Sequence, residues 1–226
     1  RGLGDVYKRQ DSNSGIIAEH KRRSPSKQNI NNSLSVTDVA GGYEKAGACG
    51  MSVLTDGKYF GGSLNDLNLA RSVTSFPVLR KEFIIDEYQI IEAKAHGADA
   101  ILLIAGILNR TEIFQLSNAA KGFGLEVLLE VHNLKELKKS VMPSLDIIGV
   151  NNRNLKTFEV SLDTSRVLIE EIPDDFVKIS ESGISEVTAI KDLRSHGYQG
   201  FLVGENFMKT DNPGEAAHKF IKQIES

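Results

Sequence analysis

The chain has 226 residues, 27 basic and 30 acidic, for a formal net charge of −3, with 40% hydrophobic and 25% charged residues. That composition is globular and excludes a disordered or collagen-like chain, while the near balance of charge argues against nonspecific nucleic-acid binding. The one cysteine, Cys49, excludes an internal disulfide or a Cys-based metal cluster, the histidines lack a His-x-x-x-His spacing, and no apolar run is long enough to span a bilayer.

Residues 1–10 (RGLGDVYKRQ) begin without Met and show no clear period. Residues 1–14 are therefore set apart as an atypical or truncated N-terminal segment. No signal peptide is visible, and a cytoplasmic location is expected. From residue 15 onward, eight short runs rich in Ile, Val, Leu and Phe recur. They are Ile16–His20, 51–55, 78–83, Ala100–Ile104, 127–131, Ile147–Asn151, 177–180 and 201–204.

Helix-like segments lie between the runs. They cover 34–46 after Ser33, 86–96, 111–121, 133–141, 162–171, 185–196 and 213–224. In 86–96 the apolar positions are Tyr88, Ile91 and Ala95. Ser63 and Asp66 have the spacing of a capping box, Gly97 and Gly197 follow helices, and Pro213 suits a first turn. Strands alternating with helices of this length make right-handed units on a parallel sheet. Eight units in about 210 residues predict an α/β fold of the closed (β/α)8 TIM barrel type over residues 15–226. An open doubly wound sheet would place a glycine-rich loop after its first strand, where Lys21-Arg22-Arg23-Ser24-Pro25 stands instead.

Strand parity then sorts the polar groups, because alternate side chains face the barrel interior. One parity gathers Glu19 and Lys21, Lys81 and Phe83, Leu128 and Glu130, Asn151 and Arg153, and Glu181 at the carboxyl ends of five strands. Three cations and three carboxylates in one place would be costly in a purely structural core. Arg22 and Arg23 read as a partly solvated basic run, and His132 as a packing or capping residue. The seventh and eighth strands end in Ser182-Gly183 and Gly204-Glu205, with a short helix over Glu205–Met208 to follow. In many barrels these two loops bind phosphate through backbone N–H groups.

Seven blocks, in order, resemble indole-3-glycerol phosphate synthase. They are 17–27 (IAEHKRRSPSK), 52–64 (SVLTD followed by YFGGSL), 77–86 (PVLRKEFIID), 126–132 (EVLLEVH), 148–155 (IGVNNRNL), 180–184 (SESGI) and 201–205 (FLVGE). The resemblance implies a cofactor- and metal-free carboxy-lyase of tryptophan biosynthesis. It would close the pyrrole ring of 1-(2-carboxyphenylamino)-1-deoxyribulose 5-phosphate, releasing CO2 and water. It further implies a phosphorylated small-molecule substrate as partner, with no nucleic acid or membrane, and a monomer or an association with other tryptophan-pathway enzymes.

By the same resemblance Lys81 is the general acid of ring closure, Glu130 the acid–base residue of dehydration, and Lys21 a partner of substrate anions that can also deliver a proton; the sequence leaves open which of the three acts in each proton transfer. Ser24 and Arg153 would hold the anthranilate carboxylate. Glu19, Asn151 and Glu181 would orient the amine and hydroxyls. Ser182, Gly183, Gly204 and Glu205 would take the phosphate, and Phe83 and Leu128 would wall the aromatic ring. The chain departs from the family pattern at Gln28, where glycine is usual, which puts closure of the first loop in question. His20 stands where smaller or apolar residues are common. The family also carries an N-terminal helical segment over the mouth, of which only residues 1–14 are available here.

A sister phosphate-binding barrel such as phosphoribosylanthranilate isomerase would need an Asp/Cys pair at strand ends, and Cys49 sits too early in its strand. A catalytically dead barrel would lack the lysine–glutamate set that is present here.

Overall fold

A computed structural model describes Gly4 and residues 14–226. The segment set apart at the N-terminus therefore lies almost wholly outside the described residues. Gly4 donates its N–H to the Glu126 carboxylate at 2.8 Å.

Eight parallel strands close in sequence order into a barrel. They are β1 (Ile16–His20), β2 (Gly50–Leu54), β3 (Val78–Lys81), β4 (Ala100–Ile104), β5 (Glu126–Val131), β6 (Ile147–Asn151), β7 (Val177–Glu181) and β8 (Gly200–Val203). The helices are α1 (Val36–Lys45), α2 (Leu64–Val73), α3 (Glu87–Ala95), α4 (Arg110–Gly122), α5 (Leu134–Ser140), α6 (Asp163–Leu168), α7 (Val187–Ser195), α8 (Glu205–Met208) and α9 (Pro213–Glu225). Every strand run and helix segment read from the sequence is present, with ends that coincide or shift by at most three residues, as hydrogen-bond definitions of termini allow.

The apolar side chains form two cores, as strand alternation requires. One fills the barrel interior and includes Ile17, Leu79, Leu102, Leu128, Ile147 and Ile179. The other lies between strands and helices and includes Val127, Leu129 and Val131. Asp86 and Asn109 cap α3 and α4 with full capping boxes through Gln89 and Glu112.

Three local expectations need correction. The buried face of α3 is Ile90 and Ala93, while Tyr88 and Ile91 are exposed. Arg80 points outward from β3 beneath this face and is itself buried. It donates to the Gln89 carbonyl at 2.6 Å and pairs with Glu92 at 3.4 Å. These bonds lie on the side of α3 where Ile90 and Ala93 enter the core between sheet and helices.

Secondly, Ser63 caps α2 by accepting from Asp66 N–H, but the Asp66 carboxylate does not return to Ser63. It takes a two-pronged bond from Arg22, at 2.5 and 2.9 Å. Thirdly, Ser35, not Ser33, precedes α1, because the Asn31 side chain accepts from the backbone of Ser33 and Leu34 in a turn.

Candidate active site

The carboxyl ends of the strands open on a cavity of about 320 Å³. At its floor, β3 delivers the Lys81 side chain into the bore. Lys81 Nζ lies 2.6 Å from Glu181 Oε2, 3.4 Å from Glu19 Oε2 and 3.9 Å from Glu130 Oε2. Lys21 Nζ pairs with the other Glu19 oxygen at 2.8 Å, and Ser52 Oγ donates to Glu19. Four strands thus converge on one ammonium group.

Two glycines make room for the carboxylates. A Cβ at Gly204 would stand 2.6 Å from Glu19 Oε1, and one at Gly149 would overlap Glu181 Oε1. Only a bare backbone fits beside either acid at these positions.

The electrostatics follow from burial and pairing. Burial alone would raise the Glu19 carboxyl, but Lys21 and Lys81 bring it down to about 2. Burial works against a charged Lys81, yet Glu181, Glu19 and Glu130 hold its ammonium well above the ordinary lysine range. Glu181 is raised, because burial and the two other carboxylates outweigh the pull of Lys81. Glu130 is lowered; His132, Lys81 and Asn151 overcome its burial. The floor therefore holds a firmly protonated lysine and two firmly ionised carboxylates, with Glu181 the acid closest to neutrality.

Of the site residues read from the sequence, Glu19, Lys21, Ser24, Lys81, Phe83, Glu130, Asn151, Arg153, Ser182, Gly183, Gly204 and Glu205 all line the cavity. Glu181 lies just beneath it, bonded to Lys81. Leu128 is not at the wall. It is fully buried two residues below Glu130, in the layer of the bore that carries Leu79 and Ile179. The apolar wall includes Phe60, Phe83, Leu102, Ile104, Ile184 and Leu202 instead, with Phe60 and Phe83 ring centroids 6.3 Å apart.

The β1–α1 loop is fastened at both sides of the mouth. Arg22 holds Asp66 and the Gly61 carbonyl, and Arg23 donates to the carbonyls of Gly57 and Lys58. Arg22 and Arg23 are half-buried clamps, partly solvated as read from the sequence. On the opposite side Lys27 pairs with Glu205 at 3.2 Å. Gln28 has no left-handed backbone, so the loop geometry here does not call for glycine at that position.

Ser182 takes φ of +69° and Gly183 +77°, an expensive conformation for serine. Asn152 holds it. Its amide donates to the Ser182 carbonyl at 3.1 Å and to Ser180 Oγ at 3.0 Å, while its oxygen accepts from Ser165 N–H and Oγ. Asn152 has the outward parity and was not singled out in the sequence. His132 lies beside the site, behind Glu130, with Nε2 3.2 Å from Glu130 Oε1. Its even spacing from Glu130 was the available signal. Cys49 is buried at the opposite end of β2, its Sγ 3.6 Å from Ser14 Oγ.

The family model for indole-3-glycerol phosphate synthase matches residues 1–220. The chain belongs to the indole-3-glycerol phosphate synthase family. An indole-3-glycerol phosphate synthase of Bacteroides thetaiotaomicron is 49% identical over 214 residues, covering 95% of this chain and 82% of the relative. One from Koribacter versatilis is 44% identical over 216 residues, covering 96% and 83%. The chain is accordingly a decarboxylating lyase of tryptophan biosynthesis acting on a small phosphorylated substrate.

Solved structures agree on the fold alone. A 3-hexulose-6-phosphate synthase from Salmonella typhimurium superposes with a TM-score of 0.72 at 13% identity, covering 93% of this chain and 98% of the other. A thiamine phosphate pyrophosphorylase from Pyrococcus furiosus gives 0.65 at 16%, covering 93% and 96%. Among the described residues no helix is long and apolar enough to cross a membrane.

Proposed function

We propose that ring closure occurs on the Lys81 floor, with Lys81 protonating the reacting carbonyl oxygen of 1-(2-carboxyphenylamino)-1-deoxyribulose 5-phosphate. The observation that carries this reading is one ammonium group held among Glu19, Glu130 and Glu181 beneath an apolar cavity. The ring carbon bearing the carboxylate attacks the ribulose C2′ carbonyl. A carbon–carbon bond forms, and the developing alkoxide takes its proton from Lys81. An alkoxide is basic enough to accept it even from a lysine held by three acids.

The carbon–carboxylate bond then breaks, CO2 leaves, and its electron pair restores the aromatic ring. In the last step the hydroxyl leaves as water with a proton from Lys21, while Glu130 accepts a proton from C1′. Glu19, Asn151 and Glu181 orient the amine and hydroxyls and offset the iminium-like charge.

Ser24 and Arg153, both on the cavity wall, would hold the anthranilate carboxylate. Ser182, Gly183, Gly204 and Glu205 would receive the phosphate through backbone N–H groups. The Glu205 side chain faces Lys27, so its amide and not its carboxylate suits an anion. Phe83 would flank the aromatic ring. We further read the enzyme as cytoplasmic, acting as a monomer or in association with other tryptophan-pathway enzymes. One chain contributes the whole cluster, and its single cysteine is buried.

The test is stoichiometry. Isotope-labelled substrate should yield one CO2 and one indole product per molecule consumed. Substrate that binds without releasing CO2 would contradict the reading.

A further inference from the structure

His132 stands at the end of β5 with a carboxylate on each side. Its Nε2 is 3.2 Å from Glu130 Oε1 and its Nδ1 is 3.1 Å from Glu136 Oε2. The His132 side chain is 10% exposed, Glu130 4% and Glu136 17%. An ionised carboxylate only accepts hydrogen bonds, and a neutral imidazole carries one N–H. Nδ1 is hydrogen-bonded to Glu136, while Nε2 lies within ion-pair distance of Glu130 without hydrogen-bond geometry, so it is the charge of two flanking carboxylates that favours the ring protonated on both nitrogens.

Glu136 is fixed in turn. It accepts from the His132 backbone N–H at 2.9 Å and from the Asn133 side-chain amide at 2.7 Å. Its own backbone N–H is capped by Asn133 at 2.9 Å. Beyond Glu130, the charged and polar groups are Lys81 from β3 and Asn151 from β6, with Glu19 and Glu181 behind Lys81. The row Asn133–Glu136–His132–Glu130 thus runs from the start of α5 into the cavity. It sets the imidazole 3.2 Å from Glu130 Oε1 and leaves Oε2 facing Lys81 at 3.9 Å.

We infer that His132 is a positioning residue of the active site: clamped between Glu130 and Glu136, it holds Glu130 as an anion with Oε2 turned to the reacting atoms. The inference rests on the functional reading above and adds a member to that site. Without the imidazolium, a carboxylate buried as Glu130 is would be driven toward its neutral form, and an acid already neutral cannot accept the C1′ proton.

The test compares His132→Gln and Glu136→Gln with the wild-type enzyme. In His132→Gln the acidic limb of the kcat–pH profile should move up by about one unit or more. At neutral pH kcat should fall by about tenfold, less than the roughly 10²–10⁴-fold expected from losing an acid–base group outright. KM should stay within about twofold. Glu136→Gln, altered on the outer side, should introduce an alkaline limb as the imidazole loses one of its two acids. Unmoved limbs in both variants, or a rise in KM alone, would overturn the inference.

A second readout does not depend on turnover. Nitrogen NMR of the wild-type imidazoles, with His132 assigned by its loss in His132→Gln, should show it protonated on both nitrogens at pH 8. A neutral His132 at that pH would overturn the clamp. Wild-type protein that fails to turn over would sink the functional reading instead, and the nitrogen shifts would still decide the clamp.

Discussion

Lys81 Nζ and Glu181 Oε2 lie 2.6 Å apart across the bore, one at the end of β3 and the other at the end of β7. Removing one partner of a buried ion pair costs about 3–5 kcal/mol, because the other is left uncompensated. Lys81→Ala leaves Glu19, Glu130 and Glu181 facing one another. It should lower the urea midpoint by that order of stability, and Lys81→Arg should recover much of it without recovering turnover, since a planar guanidinium cannot take the place of a point donor. An Arg variant with wild-type kcat would contradict the role given to the lysine.

Gly204 and Glu19 define the tightest approach of backbone to acid. Gly204→Ala would drive a methyl group into Glu19 Oε1 and Cβ. Turnover should drop at least about tenfold while the circular dichroism spectrum is kept, because a displacement of about 1 Å at reacting groups is expensive. Unchanged turnover would mean that Glu19 does not need its present place.

The fold was legible because each strand is a short apolar run and several helices carry start or stop residues. What escaped was the part set by partners distant in sequence. Ile90 and Ile91 are adjacent, and either could begin an apolar stripe; the bonds of α3 to β3 and its loop, Arg80 to Glu92 and Gln89 to Phe83, accompany the choice of Ile90. Parity placed Leu128 on the inward face but not its depth, which depends on how the strands stagger around the barrel. His132 shares parity with Glu130, yet its role needs Glu136 on the next helix. Asn152 has the outward parity beside inward Asn151, and its four bonds go to Ser165, Ser180 and Ser182, all at least 13 residues away.

That Asn152 junction predicts a split between binding and chemistry. Asn152→Ala leaves buried groups of Ser165 and the Ser182 carbonyl without their partner. Each unsatisfied group costs about 1–3 kcal/mol. The left-handed turn at Ser182 should loosen, raising KM for the phosphorylated substrate more than it lowers kcat. Steady-state kinetics with an inorganic phosphate competitor would show it. A fall in kcat at constant KM would refute the assignment of this turn to substrate binding.

His20 predicts a pH dependence of stability. The ring is 1% exposed with neither nitrogen bonded to the protein. Burial first, and Arg22 second, lower its pKa from 6.5 to about 4. An imidazole that stays neutral when folded and protonates when unfolded stabilises the fold above pH 6.5, and that contribution is lost as pH falls from about 6.5 to 4. The loss is on the order of 3 kcal/mol. Glu19, lowered to about 2, adds a further loss below its ordinary value of 4.5. Urea titrations between pH 7 and 4 should show the slope, and His20→Leu should flatten it. An equal slope in that variant would assign the acid sensitivity elsewhere.

The most direct measurement is indole fluorescence in a single turnover. The chain contains no Trp, so emission from the indole product rises against tyrosine alone. On mixing with the carboxyphenylamino-deoxyribulose phosphate, the wild-type enzyme should give a rising trace. Lys81→Ala should bind the substrate but lose the trace by roughly 10²–10⁴-fold in rate. A Lys81→Ala trace as fast as wild type would contradict the central claim that this lysine supplies the proton for ring closure.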